Sequence, residues 1–258
     1  MGPVRTEVMR QSVLDAVQIA SGQIATGHIA SGGAGSLTIL DLGGGTGADA
    51  VRLAQLGHAV TVVDPSPDAL AALQRRAAEA ELGEGSTAPG SVIGVLGDTA
   101  DLPDHVADDS VDLVVCHGVL EVVDDPEAAL TEVARVLRPG GHASVVVAGR
   151  RAAVVARALA GDFAGAARIH ASSLETWDVR AQGPRRFDPT EIEALLSRHG
   201  LPVVRSFVLR VFTDLVPSAL VDVEPGAREA LYELERQVRD DDAYAALAVG
   251  LQLVGRLD

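Results

Sequence analysis

A chain of 258 residues and 26.6 kDa, 47% hydrophobic and 22% charged, has the mixture of an ordinary globular protein. No stretch approaches the roughly 18 uninterrupted apolar residues of a membrane span. The single cysteine, Cys116, excludes an internal disulfide and a cysteine-rich zinc site, so no metal is expected and the compartment reads as reduced and cytoplasmic.

The net charge of −15 opposes a polyanion held by the average field, yet the charge is uneven. Residues 1–148 carry 7 Arg against 20 acids, residues 149–210 carry 10 against 6, and residues 211–258 carry 4 against 10. Only the middle segment is positive. Every basic residue is arginine, which speaks of codon usage more than of function. The N-terminus lacks the basic, apolar and small-residue series of a signal peptide, and Pro3 stands against the formal myristoylation pattern over 2–6.

Val4, Val8, Leu14, Val17 and Ile19 recur at helical spacing and predict an N-terminal helical cover within residues 1–30, followed by a glycine-rich linker over 31–36. Residues 37–42 and 59–63 read as strands flanking a helix over 47–56. A helix over 67–82 begins at Pro67 with Ser66 as its cap. Strands are expected at 91–96, 111–116 and 142–148, with a helix at 126–137. The alternation predicts a parallel sheet covered on both faces. Past Arg150 the rhythm breaks. A helix at 151–160, an irregular stretch over 161–187 and a helix at 189–199 precede strand candidates at 203–212 and 246–254, with a helix near 227–239 between them.

The chemistry concentrates in Ile39-Leu-Asp-Leu-Gly-Gly-Gly-Thr-Gly47, a strand running into glycines and then a helix. Glycines let the backbone approach a ligand closely, and the free N–H groups of a helix start favour electron-rich groups. Gly43-x-Gly45-x-x-Ala48 also fits the dinucleotide fingerprint, with Asp64 placed 21 residues on to hold ribose hydroxyls. The motif alone leaves a nicotinamide dehydrogenase and a catalytically silent adenosine-ligand module open.

Asp41 before the first glycine, Gly97-Asp98 after the third strand and Leu137-Arg-Pro-Gly-Gly141 before the fifth together resemble class I S-adenosylmethionine-dependent methyltransferases. The resemblance implies an α/β, seven-stranded Rossmann-like sheet, mostly parallel with an antiparallel last strand, in one domain over 1–258 with residues 149–202 inserted before strand six as a helical lid. It implies that S-adenosyl-L-methionine is held by Gly43, Gly44, Gly45 and Gly47 under its methionine part and Asp41 at its ammonium. Asp64 with Pro65 would hold the ribose, and Asp98 with Thr99 the adenine.

Cys116-His-Gly-Val-Leu-Glu-Val-Val-Asp-Asp-Pro126, Ala160-Gly-Asp-Phe163, Phe187-Asp-Pro-Thr190 and Leu209-Arg-Val-Phe-Thr-Asp-Leu215 are more closely similar to the bacterial methyltransferases that esterify 5-carboxymethoxyuridine at the tRNA wobble position. That likeness implies Arg5 at the methionine carboxylate and His117 against the cofactor. It departs where those enzymes carry lysines: here Glu175 and Asp178 lie in the run 172–183. A carboxylate acceptor is already ionised and needs a cation to orient it, for which Arg210 is the candidate; a phenol or amine would call on His117 as base. Trp177, Tyr232 and Tyr244 are candidates for a substrate pocket, though core packing suits them as well. The acceptor is thus either tRNA or a small molecule methylated on carboxyl or oxygen, with Arg180, Arg185 and Arg186 available to phosphates.

Overall fold

The computed structural model describes residues 4–22, 35–82, 88–99 and 102–258; most of the glycine-rich linker and of the loop before the third strand lies outside the described residues. Helix α1 (Val4–Ala20) precedes β1 (Thr38–Leu42), α2 (Ala48–Gln55), β2 (Ala59–Asp64), α3 (Pro67–Glu79), β3 (Ser91–Leu96), β4 (Val111–His117), α4 (Pro126–Val136) and β5 (Leu137–Ala148). Then come α5 (Arg150–Leu159), α6 (Phe163–Ala171), α7 (Val179–Gln182), α8 (Pro189–Arg198), β6 (Val203–Leu209), α9 (Ser218–Val223), α10 (Ala227–Val238) and β7 (Gly250–Arg256).

The strands form one sheet in the order β3-β2-β1-β4-β5-β7-β6, in which only β7 runs antiparallel to its neighbours. Alternation along each strand builds two core layers. Ile39, Leu113 and Val115 face α1, α2 and α3, where they pack with Val13, Leu53 and Leu73. Leu40, Val114 and Val145 face the other way, onto Leu130, Val133, Ile192 and Leu195 of α4 and α8. The reversal of strand order at β1 and β4 opens a crevice at the carboxyl edge of the sheet, where such folds bind ligands. Because β7 is reversed, the end of β6 also reaches that edge: Ala148, Gly250 and Leu209 lie in one row.

Three expectations are corrected. The stretch 161–187 is not irregular, for it contains α6 and α7. Their Asp caps look like loop residues in sequence: Asp162 Oδ1 accepts from Gly165 N–H (2.8 Å) and Asp178 Oδ1 from Arg180 N–H (2.9 Å). Strand β5 begins at Leu137, five residues early, because Leu137 pairs with Val111 and the next pair is Leu113 with His142, so the Arg138–Gly141 segment bulges between them. The last strands are shifted: β6 stops at Leu209, where Arg210 turns to φ +59°, and β7 starts at Gly250 rather than at Ala246.

Helix α1 is fastened to the sheet rather than laid loosely over it. Val13, Ala16 and Val17 are buried, Gln252 of β7 donates to the Ser12 carbonyl (2.7 Å), and Asp15 pairs with Arg239, whose guanidinium stacks 4.3 Å from the Phe207 ring centroid. Both members of that ion pair are largely buried. Loss of one partner strands the other, so Asp15→Ala is expected to cost about 3 kcal/mol, while Asp15→Ala with Arg239→Met recovers most of it. Urea midpoints of the two variants measure this, and equal losses would show that the pair carries none of the attachment.

Candidate active site

The glycine loop owes its shape to positive φ and to close packing. Gly43 (φ +69°) leaves no room for a Cβ, which would meet Val119 Cγ2 at 2.6 Å, and a Cβ on Gly47 (φ +68°) would collide with the Leu73 side chain. Asp64, at the end of β2, holds the loop from the neighbouring strand. Its Oδ2 accepts from Gly45 N–H (2.9 Å) and its Oδ1 from Ser66 N–H (2.8 Å).

Two openings flank this loop and share Gly43 and His117 in their walls. The larger, about 820 Å3, is walled by Asp64, Pro65, Asp98 and Thr99 together with Val119 and Val122. The smaller, about 180 Å3, is walled by Asp41, Gly44, Thr46 and Asp49 and floored by Val13 of α1. Asp41 is buried, and burial, with Asp49 and Asp64 nearby, raises its pKa to about 7. Burial raises Asp49 as well. Two carboxylates that are costly to ionise in the free protein suit a cationic ligand.

His117 projects from β4 on the side of α1. Gln252 Nε2 donates to the Ser12 carbonyl (2.7 Å) and to Ser144 Oγ (3.0 Å), and His117 Nε2 lies in hydrogen-bond contact with the same Ser144 hydroxyl at 2.8 Å. Burial pushes the imidazole pKa down to about 3, far below the range of a working base at neutral pH.

Arg5 and Arg210 are not brought to the loop. They converge on one carboxylate, Asp214, whose Oδ1 takes Arg5 and whose Oδ2 takes Arg210 Nε (2.7 Å). Arg5 lines a separate recess between α1, α9 and α10. Trp177 is buried within the lid with its Nε1–H on the Gly183 carbonyl (2.9 Å), and Tyr244 packs edge-on against Phe212; neither lines the two openings. Asp49, Val119 and Glu121 escaped sequence reasoning. The acid in the first turn after the glycines was the available signal for Asp49, whereas the other two needed the packing of β4 against the loop.

Residues 40–145 match the methyltransferase domain family. The tRNA 5-carboxymethoxyuridine methyltransferase of Escherichia coli O157:H7 is 29% identical over 228 residues, which is 87% of this chain and 81% of that protein. A thiol S-methyltransferase of Homo sapiens is 38% identical over 113 residues, covering 43% and 42%. The chain is an S-adenosylmethionine-dependent methyltransferase with the class I fold. In fold, the methyltransferase is similar to magnesium protoporphyrin IX methyltransferase of Synechocystis PCC 6803 with bound S-adenosylhomocysteine, at a TM-score of 0.59 and 15% identity over 99% of this chain and 86% of that one. The residues present fit the cofactor. The glycine cradle excludes side chains where it must pass, and buried carboxylates face the recess beside it.

In this methyltransferase the raised pKa of Asp41 sets a sign. A folded-state carboxyl that binds its proton more tightly than the unfolded one opposes folding as pH climbs from about 4 to about 7, and a cation in the recess must first release that proton. Affinity for S-adenosylhomocysteine is expected to be level above pH 7 and to fall by up to about tenfold per pH unit below it. Asp41→Asn should weaken binding and flatten the profile, yet raise the melting temperature of the ligand-free protein at pH 8. Calorimetric titration with matched melts checks both, and an unchanged pH profile in the variant would remove Asp41 from the cofactor.

Proposed function

We propose that this methyltransferase esterifies a carboxylate, and that the carboxylate belongs to a tRNA nucleoside of the 5-carboxymethoxyuridine type. The observation that carries the reading is His117. An imidazole whose basicity burial lowers to a pKa of about 3 is a poor base for a phenol or thiol, which favours an acceptor that arrives ionised. S-Adenosylmethionine supplies a sulfonium methyl, and its transfer removes positive charge without any proton movement when a carboxylate oxygen is the nucleophile. What the protein adds is orientation and the exclusion of water. The breadth of similarity agrees: the tRNA enzyme aligns over 87% of the chain, the thiol enzyme over 43%.

In this reading the cofactor lies with its ribose on Asp64, its adenine toward Asp98 and Thr99, and its methionine end in the recess of Asp41. His117 stands in the wall between the two openings, and Arg5 and Arg210 converge on Asp214. Asp98 has a partner within the protein, so an adenine contact there is shared.

A small-molecule carboxylate is the second reading, favoured by how the ten arginines of residues 149–210 are used. Arg150, Arg151, Arg157, Arg198, Arg205 and Arg210 all sit in ion pairs, and Arg185 donates to the carbonyls of Val123 and Asp124. Like Arg185, Arg168, Arg180 and Arg186 have no carboxylate within 4.0 Å among the described residues, and these three are not spent on the Val123 and Asp124 carbonyls. Contact with RNA phosphates through these three implies a shallow salt dependence, with log K falling about 2 to 3 per decade of salt.

Extract incubated with the full chain and methyl-labelled cofactor is expected to carry label in nuclease-sensitive RNA, released as methanol by mild alkali. Alkali-labile label in the small-molecule fraction would select the second reading, and alkali-stable label would overturn the carboxylate assignment.

A further inference from the structure

The segment Arg185-Arg186-Phe187 crosses the carboxyl ends of β4 and β5. Arg185 N–H donates to the Glu121 carbonyl (2.8 Å), Phe187 N–H to the Ala148 carbonyl (2.9 Å), and Arg150 N–H to the Phe187 carbonyl (2.9 Å). Phe187 also forms a parallel bridge with Gly149 and is wholly buried. Arg185 is consumed as a clip on the Val123 and Asp124 carbonyls at the rim of the larger opening.

Arg186, between these anchors, is half-buried. Its one hydrogen bond runs back to the Arg185 carbonyl (3.2 Å), and no carboxylate lies within 4.0 Å of it among the described residues. Burial and the like charges of Arg157 and Arg210 weaken its hold on its proton, opposed by Glu121. Glu121 is itself buried, with Oε1 on Ala148 N–H (2.9 Å) and Oε2 unpartnered. A partly desolvated guanidinium with no ion-pair partner of its own is stabilised when an anion joins it.

Its place decides between it and Arg210. Arg186 stands on β5 and on the turn after β4, the strand that carries His117, whereas β6, which stops at Leu209 just before Arg210, lies two strands beyond β5, about 10 Å farther along the sheet edge. The charge of Arg210 is also met by Asp214.

We propose that Arg186 binds the anionic end of the methyl acceptor, and so selects carboxylates for transfer. The assignment rests on the carboxylate reading above. In the step it serves, a lone pair of the carboxylate oxygen forms the O–CH3 bond, the S–CH3 bond breaks, and its electron pair stays on sulfur as a thioether; no proton moves.

Two arms test this in the full chain. In the first, a synthetic anticodon stem-loop carrying 5-carboxymethoxyuridine is the acceptor. Arg186→Gln is expected to raise its KM at least tenfold, leave the KM for S-adenosylmethionine within twofold, and leave the ligand-free melting temperature unchanged or higher, whereas a structural arginine would lower it. Arg186→Lys should recover part of the loss. The second arm does not depend on tRNA: with S-adenosylhomocysteine bound, phenoxyacetate should raise the melting temperature of the wild type, phenoxyacetamide should not, and Arg186→Gln should abolish the response. Wild type that ignores the stem-loop but needs Arg186 for phenoxyacetate overturns the tRNA reading and keeps the assignment. Full stem-loop turnover with an unchanged KM in Arg186→Gln overturns the assignment and keeps the reading. If the glutamine variant does not fold, Arg186 is structural and the proposal falls, unless Arg186→Lys folds and shows the raised KM alone.

Discussion

The Asp64 carboxylate is the constraint on which the cofactor crevice depends. With one oxygen on Gly45 N–H and the other on Ser66 N–H, it ties the loop after β1 to the turn after β2. The loop can be held this way only because its glycines accept positive φ and because Val119 and Leu73 fill the volume their side chains would need. Asp64 thus orders the protein, and its remaining lone pairs are held in a fixed position at the wall of the larger opening.

Around this point the protein divides its buried charges into two kinds. Those that hold the architecture have partners of opposite charge or N–H donors: Asp15 has Arg239, Arg150 has Asp188 and Glu191, and Glu235 has the N–H groups of Val211, Phe212 and Thr213 and the Thr213 hydroxyl. Those at the crevice are not. Asp41 is pushed toward neutrality by burial and by neighbouring acids, and Glu121 keeps one oxygen without a partner. Such groups lower the stability of the free protein and strengthen binding of a ligand of opposite charge, the usual exchange between stability and function.

The lid follows the same division. Its excess of arginine over acid in sequence looks like a surface for polyanions, yet most of those guanidiniums close ion pairs or cap carbonyls that fasten α5, α8 and the 185–187 segment to the sheet. Net charge counted along the chain overstates the charge offered to a partner, because pairing is decided by distance in space.

The sequence by itself determined the alternation of strands and helices through β5, the glycine loop and the acids Asp41, Asp64 and Asp98 at strand ends, since these follow from local periodicity and from backbone demands that only glycine meets. Family resemblance in the same residues supplied the cofactor and the reversed last strand. Tertiary structure decided the rest. That Arg5 joins Arg210 on Asp214, that His117 meets the Ser144 hydroxyl to which Gln252 donates, and that Arg185 is a clip all depend on contacts between residues 27 to 209 positions apart. Pattern along a chain does not record which charge meets which. The helices α6 and α7 escaped for a related reason: each is short and capped by an aspartate, so its start looks like a loop until the N–H groups it receives are seen.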